Sequence, residues 1–154
     1  KKALAIYQDR RNRLQRKFYT HGTPETGQGS PQLVIKKGSE LQGEITYYNL
    51  NKQDIGALAF SFGISKRSFP IKIGYGKPAY FGSIQFELES IIPYHSILFQ
   101  SRQLTADEVL EMAETYGTDD EFISGQKEHL REIFDFEKNK HNRWLVNKYG
   151  GKGY

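Results

Sequence analysis

Residues 49–83 read NLNKQDIGALAFSFGISKRSFPIKIGYGKPAYFGS, and this stretch decides the fold around it. Four apolar residues recur at i, i+3, i+4 and i+7, the spacing of a core-facing helical stripe: Ile55, Leu58, Ala59 and Phe62. Asn51 stands where a helix N-cap belongs, and Gly63 where a left-handed residue ends a helix. The stretch therefore predicts a helix between Asn51 and Gly63, followed by a glycine-rich segment.

The glycine-rich segment runs from Lys72 to Ser83 and carries the chemistry of the chain. Glycine permits positive φ and lets a backbone N–H approach a ligand that a Cβ atom would exclude. Successive N–H groups can form a concave nest for an anion, to which Lys72 and Lys77 add positive charge. Tyr75 offers a ring on which a base could stack. A second interpretation is purely structural, because glycines also permit a tight hairpin bend or a bulge.

Two enzymatic interpretations of this loop fail on its context. Dinucleotide and P-loop motifs open a helix whose N-terminus receives the phosphates. Here the loop leads into residues 84–89, which alternate between apolar and polar side chains and so predict a half-buried strand. Pro78 also lacks the N–H that a phosphate cradle would use. We therefore exclude nucleotide hydrolysis and hydride transfer.

The rest of the chain predicts one more strand and three further helices. Alternation predicts a strand at 41–50. Thr105 and Glu108 have the spacing of a capping box, and Gly117 ends that helix. A helix beginning near Thr118 would turn four apolar side chains inward: Phe122, Leu130, Ile133 and Phe134. A basic helix is predicted at 3–18, and the composition of Thr20–Gln32 predicts a mobile loop.

These elements predict an α+β fold without internal repeats. We divide the chain into residues 1–32 (basic helix and mobile loop), 33–100 (core with the glycine-rich loop), 101–147 (helical C-terminal region) and 148–154 (disordered tail).

Charge is distributed unevenly along the chain. Residues 1–17 carry a net charge of +6 and residues 138–154 carry +5, which leaves −7 for residues 18–137 out of a total of +4. Basic ends of this kind can neutralise phosphates, although they can also simply keep a protein in solution. The absence of cysteine excludes disulfides and thiolate metal sites, and no apolar run is long enough for a membrane helix. We expect a cytoplasmic protein.

Three motifs together resemble CRISPR-associated RAMP proteins of the type III effector class. Asn49-Leu50, followed by Ile55-Gly56-Ala57-Leu58, resembles their "NL-x-x-x-E-L-G-A-L" segment. Residues 71–83 resemble "H-K-(I/L)-G-x-G-K-P-L-G-L-G-S", with Ile71 in place of the histidine and Ala79-Tyr80-Phe81 in place of leucine-glycine-leucine. Residues 16–21 read RKFYTH, which is similar to the upstream "RKFYxH". The resemblance covers residues 17–92, about half the chain.

The resemblance implies a ferredoxin-like (RRM-like) fold, here in part and with added C-terminal helices, in which the glycine-rich loop lies beside the guide RNA. Such subunits assemble along crRNA with other effector subunits in antiviral defence and need no cofactor or metal. The residues it implicates in RNA contact or loop geometry, with Tyr75 added for stacking, are Lys17, Lys72, Gly74, Tyr75, Gly76, Lys77, Gly82 and Ser83.

Some RAMP proteins cut RNA, so an endoribonuclease is the alternative function, acting on crRNA or on target RNA without a metal. His21, in the predicted loop beside Lys17, is the candidate catalytic residue, since a histidine can move the proton of a 2′-hydroxyl. The acidic run Asp119-Asp120-Glu121 is a poor metal site because consecutive helical residues point ~100° apart. We interpret it as a complement to the dipole at the start of a helix.

Overall fold

The computed structural model describes residues 18–24, 33–92, 95–96, 99–100 and 104–142. The helices are α1 (Lys52–Ser61), α2 (Ala106–Thr115), α3 (Glu121–Ile133) and α4 (Phe136–Asn139). The strands form two antiparallel pairs, β1 (Ile71–Lys72) with β2 (Ser83–Ile84) and β3 (His95–Ser96) with β4 (Phe99–Gln100). The predicted mixture of helix and strand is confirmed. The described part of the chain is mostly helical, however, and it forms no ferredoxin-like sheet.

Helix α1 has the ends that the sequence predicts. The Asn51 side chain accepts a hydrogen bond from the Asp54 N–H (3.0 Å), and the Asp54 carboxylate accepts one from the Asn51 N–H (3.1 Å). At the other end Gly63 has a φ of 72° and Ile64 N–H donates back to the Ala59 carbonyl (3.0 Å), a Schellman arrangement. A Cβ atom on Gly63 would lie 1.9 Å from the Phe69 carbonyl oxygen, so this turn requires glycine.

The core lies between α1 and α2, with the chain after α1 and the end of α3 packed around it. A Cβ atom on Gly56 would lie 2.3 Å from the Met112 carbonyl oxygen, so this glycine lets the two helices approach closely. Five apolar residues form the buried cluster: Ala59, Phe60, Phe69, Val109 and Ala113. The cluster joins residues on both sides of the predicted boundary at residue 100.

Helix α2 begins at the predicted cap, and α3 begins slightly later than predicted. Thr105 and Glu108 form the expected capping box at the start of α2, with the Thr105 N–H donating to the Glu108 carboxylate (2.9 Å). Gly117 follows α2 with a φ of 67°. Asp120 accepts from the Ile123 N–H (3.1 Å) and caps α3, so the helix does not begin near Thr118, and of the acidic run only Glu121 lies in its first turn.

The inward-facing register of α3 differs in part from the prediction. Leu130 and Phe134 pack against the core as expected, but Phe122 is 73% exposed. The inward face carries Lys127 in its middle, and Phe122 lies five residues away from it, well off that face. The prediction for Phe122 is therefore wrong, because its position along the helix places it on the exposed side although its residue type favours burial.

Lys127 is a buried cation that closes the C-terminal end of α2. Its ammonium group donates to the carbonyl oxygens of Ala113 (3.1 Å), Glu114 (2.7 Å) and Tyr116 (2.7 Å). The last carbonyls of a helix have no partner within the helix, so these three bonds replace lost hydration. Burial lowers the pKa of Lys127 below its ordinary value. A lysine thus joins α3 to α2 where the sequence pattern suggested an apolar contact.

The predicted strand at 41–50 is wrong, and the predicted strand after the glycine-rich loop is shorter than expected. Residues 33–49 are exposed, and the backbone of 40–50 pairs with no other described segment. Alternation indicates which side chains share a face, but it does not supply a neighbouring strand. In residues 84–89 burial alternates as predicted and the Phe86 ring lies 5.1 Å from that of Phe62, yet only Ile84 pairs.

Other predictions fall wholly or mainly outside the described residues: the helix at 3–18, most of the loop at 20–32 and the tail at 148–154. Within the described ranges, no helix has the length and apolar character needed to cross a membrane.

Candidate nucleic-acid interface

The glycine-rich segment forms a closed hairpin. Ile71 pairs with Ile84 and Lys72 with Ser83, and the Ile73 N–H donates to the Gly82 carbonyl (2.8 Å). Between these pairs the chain makes a single 3₁₀ turn over Lys77–Ala79, with Pro78 near its start, where proline's fixed φ is favourable. The segment is therefore a β-hairpin, as the structural interpretation of its glycines predicted.

Four positions of this hairpin adopt left-handed backbone conformations. The φ values are 86° at Gly74, 76° at Gly76, 66° at Tyr80 and 77° at Gly82. A Cβ atom on Gly82 would lie 1.9 Å from the Ile73 carbonyl oxygen, so a side chain there would force the strands apart. Tyr80 ends the 3₁₀ turn and adopts a conformation that non-glycine residues rarely take.

Lys72 points into the hairpin. Its ammonium group donates to the carbonyl oxygens of Tyr80 (2.7 Å) and Phe81 (3.1 Å), which crosslinks the far arm of the loop to β1. Burial lowers the pKa of Lys72 to about 8. Both observations indicate that Lys72 holds the shape of the loop. Its ammonium group is half-buried and already donates two hydrogen bonds within the loop, so it has fewer donors left for a ligand.

Lys77 and Tyr75 lie on the outer side of the same loop. Tyr75 is 92% exposed. Lys77 makes no hydrogen bond or ion pair to another described side chain, in contrast to Lys72. Together with Tyr19 from the N-terminal segment, residues 74–79 line an open pocket of about 520 Å³. This pocket is the concave surface that the glycine-rich loop presents to solvent.

His21 lies at the base of the hairpin and is fully buried. One ring nitrogen, Nδ1, lies 2.9 Å from Ser83 Oγ, and Nε2 donates to the Pro70 carbonyl (3.1 Å). A donating Nε2 and an accepting Nδ1 correspond to the neutral ring, with the Ser83 hydroxyl donating to Nδ1. Burial lowers the pKa of His21, and the nearby Lys72 charge lowers it further, against the Pro70 hydrogen bond.

The His21 ring also joins the hairpin to the end of the helical region. It lies 5.5 Å from the Phe136 ring and 6.0 Å from the Phe134 ring, measured between centroids. Just beyond it, the Thr23 N–H donates to the Asn142 carbonyl (2.8 Å). His21 was predicted to lie in a mobile loop, and this placement is wrong: the apolar rings and two hydrogen bonds hold it in the interior.

The predicted RNA-contact residues thus fall into two groups. Gly74, Tyr75, Gly76 and Lys77 line the open pocket, whereas Lys72, Gly82 and Ser83 build the hairpin from within. Lys17 lies outside the described residues.

The sequence analysis missed Tyr19 as a residue of the site. A signal was present, because Tyr19 is two residues from His21 in the basic-aromatic stretch, and His21 anchors that stretch to the hairpin. The described residues contain no cluster of three side chains suited to a metal ion.

Comparison with known proteins gives no match: no protein-family model, no curated protein and no solved structure is similar to this chain.

Proposed function

We propose that this chain is an RNA-binding subunit, or part of one, of a type III CRISPR effector complex of the RAMP class. The observation that carries the proposal is the backbone of the hairpin. The resembled pattern has glycine at the positions of residues 74, 76, 80 and 82, and all four have positive φ. Tyr80 keeps the left-handed conformation although it has replaced a glycine. Glycines at these positions are what a loop with left-handed backbone conformations needs, and this agreement between the resembled pattern and the backbone of this chain supports the proposal.

The chemistry of the loop suits the RNA backbone. Phosphates are bound by lysine side chains and by backbone N–H groups in positive-φ turns, and base faces stack on exposed aromatic rings. Lys77, the backbone of Gly74–Gly76 and the Tyr75 ring supply these three elements on one surface. The proposal assigns contact to this group and assigns loop shape to Lys72, Gly82 and Ser83.

The wider context of the proposal follows the resemblance. The partners are crRNA, or another single-stranded RNA, and neighbouring effector subunits. The RRM-like arrangement of the complete domain, the cytoplasmic location and the role in antiviral defence belong to the same proposal. The order of helix α1, hairpin and extended segment 84–89 along the chain supports it.

Reversing one charge tests the RNA role. We expect Lys77→Glu to weaken binding of single-stranded RNA and to reduce the salt dependence of the affinity, because one phosphate contact is lost. The measurement is a filter-binding titration at several salt concentrations. Lys52→Glu, at the exposed start of α1, makes the same change in net charge away from the pocket and controls for non-specific attraction.

Two outcomes would contradict the proposal: no RNA binding by the unaltered protein, or equal effects of Lys77→Glu and Lys52→Glu. The double reversal of Lys72 and Lys77 is less informative, because Lys72→Glu also removes two hydrogen bonds that hold the loop.

The endoribonuclease alternative stays a prediction without added support. A general acid or base must reach the reacting hydroxyl, and His21 is buried with both ring nitrogens hydrogen-bonded. Incubating labelled repeat RNA with the protein in EDTA tests it. Specific cleavage that is lost in a folded His21→Asn variant would favour the enzyme over the scaffold.

A further inference from the structure

The outer face of helix α3, on the side opposite to the buried Lys127, is exposed along the helix. Phe122 exposes 73% of its surface there, and a Cβ atom on Gly125 would meet no atom within 4 Å. A large apolar ring beside a glycine lets another helix pack closely against such a face. The residues of the outer face are Phe122, Gly125, Gln126, His129 and Glu132.

The charge around this face is negative, because both cations of α3 point inward. Residues 119–137 contain seven carboxylates and two cationic side chains, Lys127 and Arg131, which gives a net charge of −5. Lys127 is buried against the end of α2, and the Arg131 side chain is 11% exposed and held in ion pairs. The exposed carboxylates include Glu132 and the acidic run at 119–121. A partner of this face should therefore be cationic, which excludes RNA.

The chain itself contains a segment of complementary character. Residues 1–17, which lie outside the described residues, carry a net charge of +6, and their sequence predicts a basic helix with a thin apolar stripe that includes Leu4, Tyr7 and Leu14. This segment joins the described residues at Phe18, whose ring packs edge-on against that of Phe134 (6.0 Å between centroids). Phe134 directly follows α3, so residues 1–17 are attached at one end of that helix.

The lengths of the segment and of α3 agree. A helix running back from Phe18 to Lys2 would extend about 24 Å, and α3 extends about 21 Å from its Asp120 cap to Phe134, at 1.5 Å per residue. Placed along the outer face, such a helix would bring Lys2 to the acidic run at 119–121 and would bring its other end toward Glu132. Its apolar stripe would then lie over Phe122.

We propose that residues 1–17 dock along the outer face of α3, as a helix whose apolar stripe covers Phe122 and whose cations pair with the carboxylates at both ends of the face. The proposal goes beyond RNA binding and does not depend on it, since both partners belong to this chain. Docking neutralises the charge of residues 1–17 internally. A polyanion that binds these residues must therefore displace them from α3 first.

Carbodiimide coupling of the unaltered protein tests the docking, because this reagent joins lysine amines to carboxylates that are in contact with them. We expect mass spectrometry of the monomeric product to identify a bond between Lys2 and the acidic run at 119–121. A bond between Lys17 and Glu132 should accompany it but is less informative, because Lys17 is next to Phe18 and so lies near α3 in any arrangement. In Phe122→Ala the yield of the Lys2 bond should fall by up to about fivefold, because a large apolar contact is lost.

A matched variant controls for the loss of an exposed ring. Tyr48→Ala removes a ring of similar exposure from the unpaired segment before α1, and it should leave the yield of the Lys2 bond unchanged. Circular dichroism of each variant establishes that it is folded.

Four outcomes would overturn the docking, and none of them bears on RNA binding. These are the absence of the Lys2 bond, an unchanged yield in Phe122→Ala, coupling of Lys148 to α3 in place of Lys2, and coupling only between two molecules. The third outcome would assign the face to the other basic end of the chain. A mixture of isotope-labelled and unlabelled protein identifies the fourth, which would assign the face to a second copy.

Discussion

Single residues decide the shape of the hairpin, and residues of the same type have different roles in it. Gly82 and Gly74 both have positive φ, but only Gly82 faces a backbone oxygen within contact distance. Lys72 and Lys77 both flank the glycines, but only Lys72 is bonded inside the loop. The residue type alone therefore does not separate a contact residue from one that shapes the loop.

Alanine substitutions should rank the two glycines. Gly74→Ala places its Cβ in open space, so its cost is the left-handed conformation alone, roughly 1–2 kcal/mol. Gly82→Ala adds the clash with the Ile73 carbonyl and should lower the free energy of unfolding by more. Gly125→Ala, on the exposed face of α3 with no close neighbour, should raise it by about 0.5–1 kcal/mol. Urea denaturation measures all three, and equal losses at residues 74 and 82 would contradict the close approach.

Burial of His21 should make stability depend on pH in the mildly acidic range. Its pKa in the folded protein lies below the ordinary value of 6.5, so the unfolded chain takes up this proton first. The contribution is complete above about pH 6.5 and is lost as the pH falls below that value toward the lowered folded pKa. We expect the urea midpoint to fall between pH 7.5 and 5.5.

Two variants test whether His21 causes this decrease of the urea midpoint with pH. His21→Gln should remove most of the decrease, whereas Ser83→Ala keeps the buried imidazole and should retain it. A decrease of the same size in His21→Gln would show that other groups cause it.

At the scale of elements, the sequence predicts where helices begin and end better than it predicts which distant segments pair or pack with one another. Asn51 and Thr105 cap helices where the sequence places them, because a cap depends on residues three positions away, whereas α3 begins after Asp120 and not near Thr118. The sequence could not show whether residues 41–50 pair, because a strand needs a neighbouring strand from a distant part of the chain, and no described segment supplies one. The same reason explains why Lys127 was missed: its three carbonyl partners lie 11–14 residues away, across a turn.

An ion-pair cluster joins the chain after α1 to helices α2 and α3. The Arg67 guanidinium donates to Glu114 (2.9 Å) and Glu128 (2.7 Å), and Arg131 donates to the same two carboxylates (2.9 and 2.6 Å). The Arg67 hydrogen bond holds the pKa of Glu128 below its usual range. Burial alone would raise the pKa of Glu114, but the two arginines reverse that effect.

Removing one arginine should therefore weaken the fold in a pH-dependent way. The carboxylates stabilise the folded state above about pH 4.5, and this contribution is lost as the pH falls through their lowered pKa values. Arg67→Met should lower the free energy of unfolding at pH 7 by about 1 kcal/mol or less, since Arg67 is largely exposed, and by less at pH 3. Lys66→Met, which breaks a surface pair with Glu111, is the control and should have a smaller effect. A loss in Arg67→Met that is the same at both pH values would contradict the cluster.

At the scale of the whole molecule, the buried apolar side chains of the described residues gather in one core, and residues 33–49 are exposed and lie outside it. Leu33, Val34 and Leu41 are more than 60% exposed, although their residue types favour burial. Amino-acid composition could not predict that these residues are exposed, since the same types of apolar residue form the core in other parts of the chain. The mixed fold class and helix α1 were predictable from local pattern, whereas the burial of His21 was not, because its partners Pro70 and Ser83 are distant in sequence.

Limited proteolysis should reveal the contrast between the core and this segment. We expect trypsin to cut after Lys36 or Lys37 before it cuts after Lys127, because the first two are exposed in an unpaired segment and Lys127 is buried within helical structure. Mass spectrometry of the early fragments identifies the site. Cleavage after Lys127 at the same rate would contradict the packing of α3 onto α2.

The hydrogen bonds that Thr23 makes to Lys140 and Asn142 should affect the rates of folding and unfolding. Thr23 and Lys140 are 117 positions apart, and the Asn142 side chain also donates to the His21 carbonyl, 121 positions away, so these contacts join two distant parts of the sequence. Closing so long a loop costs much entropy before it gains contacts, and such contacts tend to form late in folding. Asn142→Ala should therefore accelerate unfolding in stopped-flow experiments and leave the refolding rate almost unchanged. A slower refolding rate in this variant would instead show that these contacts already form in the folding nucleus. The hairpin would then form only after the two distant parts of the chain had come together.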